Sequence, residues 1–560
     1  MARVISIGAQ SFQEMRMQDA FLVDKTAFIR EWWKTLDTVT LICRPRRFGK
    51  TLTLSMVECF FSTKYARRGE ELFAGLEIWD GASPCELQGS VPTVMLSFAD
   101  CKGKAYATLE RSLCDELARA WRTHADEIDS RDLGQYEREL LHGTRTSVDP
   151  AQAAGSLKRL CELLTRSTGQ KVLVLIDEYD TPMQEAWIAG CWNQMADFVR
   201  RLFNSTLKTN PYLRRALITG ITRITQESIF SDLNNVEVVT TTSDAYATAF
   251  GFTEDEVFAA MDEFGLNERE EVRRWYDGFS FGNHEHIYNP WSATSYLKKH
   301  LFKAYWANTS GNALVSSLVR VGGEELKADF EALLSGNSVR KVIDEQIVFQ
   351  NLDDDDDAVW SLLLASGYVR ADDARLVDGA THCTLSLTNH EVRVTFDKLV
   401  RRWFQTAKRQ YGAFVNALLA GDARGMTRFL NDVALRTFSF FDSGTQPSGH
   451  VEPERFWHGF VLGLLVELRD THQVLSNRES GWGRYDTMIV PRDTTKVATV
   501  LEFKVLDHED DERTLADTVA SALAQIEAKD YDAELSDRCF DRDRIRHFGI
   551  AFEGKRALVG

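Results

Sequence analysis

Four short apolar stretches, at residues 39–43, 91–98, 171–177 and 215–221, read as β-strands. The unbroken, β-branched-rich run 172–176 suits a strand buried on both faces of a parallel sheet. Apolar residues at helical spacing mark residues 27–33, 52–63 and most of 104–166. A strand edge at 21–26 is expected to lead into the first of these helices, with Asp24 or Thr26 as its cap. Residues 300–400 are helix-rich, and 359–368 reads as a buried helix stopped by Gly367. Short strands are expected at 383–387 and 392–394, followed by helices from 396 to 435. Helix followed by hairpin suggests a winged-helix-like lid, with a plain connector as the competing explanation. Towards the carboxyl terminus, 454–468 reads as an apolar helix, 485–490 alternates as a strand, and 498–505 supplies its partner.

The first strand and the next helix are joined by Arg44-Pro45-Arg46-Arg47-Phe48-Gly49-Lys50-Thr51. Backbone N–H groups at a helix N-terminus face an anion, and a lysine there can reach terminal phosphates. The Thr51 hydroxyl is placed to ligate Mg²⁺. The phosphate-loop pattern has glycine where this chain has Arg44. Arginine can add cationic charge near phosphates, but it does not supply glycine's backbone freedom.

The strand at 171–177 ends in Asp177-Glu178. Ligands of parallel sheets bind at the carboxyl ends of the strands. Asp177 is the candidate Mg²⁺ partner and Glu178 the candidate base for a hydrolytic water. A solvated acidic turn is the plainer alternative. Residues 275–291 are aromatic and rich in Gly, Asn and Pro, which fits a packed loop closing a domain or, as the alternative, a substrate contact.

In the carboxyl-terminal hairpin, Asp486 lies on one strand and Glu502-Phe503-Lys504 on the next. Residues two apart share a strand face, so Glu502 and Lys504 point the same way. Polar groups gathered among apolar neighbours are costly to bury without a ligand. Asp486 and Glu502 would hold Mg²⁺, and Lys504 would activate the attacking water or stabilise the phosphoryl charge. A further acid is expected from the preceding helix, with Glu454 first and Glu479 second. The plainer reading is a structural salt bridge between Lys504 and Asp486.

Length and charge narrow these alternatives. At 560 residues the chain exceeds one ordinary core, and about three domains are expected. A net charge of −17 argues against non-specific coating of nucleic acid, but leaves room for a nuclease with a local basic patch. The acidic run 353–357 reads as a solvated loop. Nine scattered cysteines form no C-x-x-C pair, which fits a reducing cytoplasm. No membrane span and no leader are expected.

The motifs Val23-Asp24-Lys25-Thr26, Arg44 to Thr51, Ile176-Asp177-Glu178-Tyr179-Asp180-Thr181-Pro182, Trp275-Tyr276-Asp277-Gly278-Phe279 and Tyr288-Asn289-Pro290-Trp291-Ser292 resemble the bacterial AAA-ATPase-like family. In that family the loop normally carries arginine at the Arg44 position. The resemblance implies ATP as ligand, held by Arg46, Arg47, Phe48, Gly49, Lys50, Thr51 and Asp177. In P-loop ATPases of the AAA type a polar residue on a neighbouring strand senses the γ-phosphate. That assigns Thr219 or Thr222 as sensor and Arg223 as a supporting charge, with a helix cap as the competing explanation. The segment from Asn477 to Asp486, with Glu502, Lys504, Gln525 and Tyr531, resembles the PD-(D/E)XK nuclease superfamily domain that accompanies this ATPase.

Together these readings imply an α/β protein of three parts. They are a P-loop parallel-sheet ATPase domain at 1–298, a helical or winged-helix-like segment at 299–440, and a nuclease-like α/β domain at 441–560. The implied function is ATP binding and hydrolysis coupled to Mg²⁺-dependent cleavage of nucleic acid, DNA in the first place. A signalling or scaffold ATPase that binds without cutting is the alternative. A homo-oligomer remains open.

Overall fold

The computed structural model describes residues 3–80, 86–129, 133–144, 146–224, 229–230, 233–306, 324–334, 336–344, 346–347, 356–377, 380–397, 408–437, 461–462, 464–465, 468, 471–480, 483–506, 512–538, 540–553 and 556–560. The chain forms two compact units, 1–399 and 400–560.

The first unit is built on five parallel strands: β1 (Val39–Cys43), β2 (Thr93–Ser97), β3 (Val172–Asp177), β4 (Leu213–Gly220) and, after the short β5 (Arg223–Ile224), β6 (Val236–Val239). Their order is β2-β3-β4-β1-β6. Every residue of β1 and β3 is buried, which is why both read as continuous apolar runs. β4 separates β1 from β3, with Ile42 opposite Thr219 and Ile176 opposite Ile218. The ends of β1, β4 and β3 therefore stand in a row at one edge of the sheet.

Around this edge lie β7 (Phe252–Thr253), β8 (Phe279–Phe281) and β9 (His284–Tyr288), then the helix Pro290–Lys299, whose first turn is capped by the Asn289 side chain. Four further strands follow: β10 (Val339–Ile343), β11 (Gln346–Ile347), β12 (Val369–Val377) and β13 (Ala380–Leu387). β10, β13 and β12 form an antiparallel sheet, while β11 pairs with β5.

Three local expectations differ from the structure. Residues 392–394 are helical, within 390–397. Their alternating β-branched residues suggest a strand, but the Asn389 side chain caps the helix through Val392 N, and Val392 and Phe396, four apart, are both buried. Residues 21–25 are irregular, and Thr26 makes no side-chain cap for the helix Ala27–Lys34. Thr26 instead bonds Asp24, whose other oxygen receives Glu77 N. Asp356 and Asp357 open the helix Asp356–Ala365 rather than lying in a loop.

The second unit is a sheet of β14 (His472–Ser480), β15 (Gly483–Pro491), β16 (Ala498–Val505), β17 (Ile545–Glu553) and β18 (Arg556–Val559), paired in that order. Only β16 and β17 are parallel, and the helix Leu515–Ala528 lies in the connection between them. The sheet has two cores. Leu501 and Phe503 pack with Phe414 and Leu430, while Met488 and Val500 pack with Ile526 and Tyr531. Period-2 alternation puts Glu502 on the second face, beneath the helix. Its neighbour in β17 is Gly549, and a Cβ there would lie 2.8 Å from Val519 O, so the glycine permits close helix–sheet approach.

No helix of the described residues is long and apolar enough to cross a membrane.

Candidate functional site

The helix Lys50–Phe61 starts at Gly49, which is left-handed (φ 83°) and offers no side chain to the first-turn N–H groups. Arg47 is also left-handed (φ 65°), and its guanidinium lies over the Trp291 ring, 4.4 Å from the centroid. The Lys50 amine is buried and donates to the loop's own carbonyls, Arg44 O at 2.9 Å and Pro45 O at 2.8 Å. Burial pulls its pKa below the usual lysine value, with Glu178 and Asp177 opposing. The Arg46 carbonyl accepts from Asn289 Nδ2 at 3.2 Å and Trp306 Nε1 at 3.0 Å.

Arg44 does something other than face phosphate. Its amide continues the β1–β4 ladder by donating to Gly220 O at 3.1 Å, and its backbone is not left-handed, so glycine's freedom is not used there. The fully buried guanidinium donates to Cys43 O, Thr240 O and Ala245 O, and packs 4.4 Å from the Phe281 ring centroid. Arg44 thus ties the strand end to the chain beyond β6, and the expected added charge near phosphate is not where the side chain goes.

Asp177 is buried at the end of β3. Its Oδ2 accepts from the Thr51 hydroxyl at 2.6 Å and its Oδ1 from the Thr219 hydroxyl at 2.6 Å. Burial raises its pKa, while these two hydrogen bonds pull it back down. The Thr51 hydroxyl and Asp177 carboxylate are hard oxygen donors on adjacent elements, a donor set that fits Mg²⁺. Glu178 is left-handed (φ 51°), and its carboxylate accepts from the Thr181 hydroxyl at 3.2 Å.

A cavity of about 610 Å³ opens over these groups. Phe48, Gly49, Lys50 and Thr51 form one side, with Arg46, Glu178, Thr181 and Gln184 beside them. Phe21, Val23, Lys25 and Trp291 also line it. Thus the 21–26 segment reaches the cavity. In the 275–291 segment Tyr276, Phe279 and Phe281 are buried, as a packed loop requires, and Trp291 lines the cavity.

The sensor candidates separate. Thr219 joins Asp177, as above. Thr222 turns to Asp180, whose Oδ2 accepts from Ile221 N, Thr222 N, the Thr222 hydroxyl and Gln184 Nε2. Arg223 lines a separate small cavity with Cys43, Thr240 and Ile343. Sequence reasoning missed Gln184, although Pro182 marks the start of a helix right after the acidic strand end, which places Gln184 within its first turns.

In the second unit, Thr487 pairs with Leu501, and continuing that register sets Asp486 opposite Glu502. Asp486 Oδ2 accepts from Phe503 N at 2.9 Å. Gln525 Nε2, on the overlying helix, donates to Glu502 Oε1 and lies 3.2 Å from the Tyr531 hydroxyl. Burial pushes the Tyr531 phenol up, and Glu502 and Asp486 add to the shift. Lys504 is half-buried on the Glu502 face. Two carboxylates at adjoining strand positions again form an oxygen donor set that fits a divalent cation. Glu454 lies outside the described residues, as does the Glu479 side chain.

The comparisons agree with this division. Residues 6–230 match the family described as predicted AAA-ATPase, AAA-ATPase-like, and residues 452–560 match the PD-(D/E)XK nuclease superfamily. The chain thus combines an AAA-ATPase-like region with a nuclease-superfamily region, and both are α/β. It is also similar to a protein of Azotobacter chroococcum mcd 1 named "Uncharacterized protein in vnfD 5'region". The two are 25% identical over 580 positions, covering 99% of this chain and 98% of that protein.

Proposed function

We propose that the chain binds and hydrolyses ATP in the cavity over Phe48 to Thr51, and that ATP controls Mg²⁺-dependent cleavage of nucleic acid, in the first place DNA, at Asp486, Glu502 and Lys504. The observation that carries the ATPase half is the hydrogen-bonded row Thr51–Asp177–Thr219, which meets that cavity at Thr51. First-turn N–H groups and the Lys50 amine bind the phosphates, with Lys50 exchanging its two loop carbonyls for phosphate oxygens. Glu178 takes the proton of the attacking water. Thr51 and Asp177 would hold Mg²⁺, which neutralises phosphate charge when bound. In the second unit Asp486 and Glu502 would hold the ion, which supplies Lewis acidity when bound. Gln525 orients the Glu502 carboxylate, and the Lys504 ammonium stabilises charge on the phosphoryl oxygens.

Two variants test the two halves. Lys50→Ala is expected to abolish ATP binding by calorimetry. Lys504→Ala is expected to abolish cleavage of plasmid, single-stranded DNA and RNA with Mg²⁺ or Mn²⁺, at unchanged ATP affinity. Cleavage by Lys504→Ala equal to wild type contradicts the nuclease assignment. Binding of nucleic acid without cleavage by the wild type supports the scaffold reading instead.

A further inference from the structure

Several cations line the cavity over the phosphate loop, and most are already committed. Lys25 pairs with Glu256, Arg47 lies over Trp291, and Lys50 is the phosphate lysine. Arg46 is held differently: its Nη2 donates to a neutral amide oxygen, Gln184 Oε1, at 3.2 Å. Gln184 is over nine-tenths buried, and its amide is fixed from behind because Nε2 donates to the buried Asp180 carboxylate at 3.0 Å. Gln184 therefore presents a carbonyl oxygen to the cavity as a fixed acceptor. Arg46 and Gln184 line the cavity together with Glu178 and Thr181. On the ATPase reading, the terminal phosphate would lie here, between Lys50 and the candidate base.

A guanidinium fork matches phosphoryl oxygens bidentately, and it gains more from phosphate than from one neutral carbonyl. The charge to be stabilised develops on the γ-phosphoryl oxygens during transfer, where an arginine is worth ~10³–10⁵ in rate. We propose that Arg46 is a catalytic residue supplied by the loop itself: during hydrolysis its guanidinium leaves Gln184 and binds the non-bridging γ-phosphoryl oxygens. This rests on the ATPase reading above. In the step, a water oxygen bonds to the γ-phosphorus as the bond to the β–γ bridging oxygen breaks. The bond's electron pair stays on ADP, and the water proton passes to Glu178 and then to solvent. Gln184 is the resting berth of Arg46 and a positioning residue.

The test compares wild type, Arg46→Ala, Arg46→Lys and Gln184→Ala as full-length proteins. The readouts are ADP affinity, ATP KM and kcat, and affinity for ADP with aluminium fluoride as a mimic of the transferring phosphoryl group. Arg46→Ala is expected to bind ADP like wild type, to lose about a thousandfold in kcat, and to lose its preference for ADP–aluminium fluoride over ADP. Arg46→Lys should recover only part of kcat, because an ammonium lacks the fork. Gln184→Ala removes the resting berth, so its kcat should fall, but by less than that of Arg46→Ala, while ADP affinity stays near wild type. Arg46→Ala that hydrolyses ATP at the wild-type rate, or that loses ADP and the mimic equally, overturns this proposal alone. A wild-type chain that binds no ATP overturns the ATPase reading and this proposal with it.

Discussion

The Thr51 hydroxyl donates to the Asp177 carboxylate across 2.6 Å, joining the first turn of the phosphate-loop helix to a strand two places away in the sheet. Thr219, on the strand between them, holds the other carboxylate oxygen. The charge of Asp177 is thus kept in a buried place where two hydroxyls and the nearby Lys50 compensate it.

That arrangement has a pH signature. Burial raises the folded-state pKa of Asp177 above its unfolded value of about 4, so the folded state binds this proton more tightly. The resulting stability is fully present below the unfolded pKa and is lost as pH rises through the raised folded value. Asp177→Asn removes the buried charge. It is expected to raise the melting temperature of ligand-free protein at neutral pH and to flatten this part of the profile. It should also lose the Mg²⁺-dependent part of stabilisation by ATP. Thermal melts from about pH 4 to about pH 8, with and without Mg²⁺ and ATP, check both outcomes.

Trp306 reaches the loop from far along the chain, donating its indole N–H to Arg46 O at 3.0 Å while its ring packs against Phe279 and Tyr368. Trp306→Phe keeps most of the packing and removes the donor. A neutral hydrogen bond contributes about 1 kcal/mol, so ATP affinity should weaken about fivefold, with little change in melting temperature. Nucleotide titration measures this, and unchanged affinity means that the Arg46 carbonyl does not need this donor.

Gly549 lets the helix Leu515–Ala528 lie close enough for Gln525 to meet Glu502. In Gly549→Ala the new Cβ would lie 2.8 Å from Val519 O and 3.0 Å from Ala522 Cβ, so the helix must shift. Overpacking of this kind costs about 1–3 kcal/mol. Denaturant unfolding should show that loss, and cleavage assayed well below the melting transition should fall by about a hundredfold because the Glu502 carboxylate loses its orientation.

What the sequence revealed, and what it concealed, follows from the range of the interactions. β1, β3 and the inner part of β4, Ala216–Ile218, are legible because strand segments buried on both faces are predominantly apolar. Asp486 and Glu502 are legible as a pair because strand alternation and hairpin register are local rules. The helix at 390–397 was hidden because β-branched alternation mimics a strand, and its cap and burial outweigh that propensity. The destination of Arg44 depends on carbonyls at Thr240 and Ala245, and the support of Arg46 on Asn289 and Trp306. No local pattern announces partners 196 to 260 residues away. Gln184 was obscured because a mid-helix glutamine acquires meaning only from what stands on either side of it.

The proposed control of cleavage by nucleotide is tested by the initial rate of plasmid cleavage in Mg²⁺ by wild type and Lys50→Ala, each with and without ATP. The account predicts that ATP changes the wild-type rate, that Lys50→Ala cuts at one rate whether or not ATP is present, and that Lys504→Ala does not cut under any condition. A wild-type rate indifferent to ATP, in protein shown to bind it, contradicts the claim.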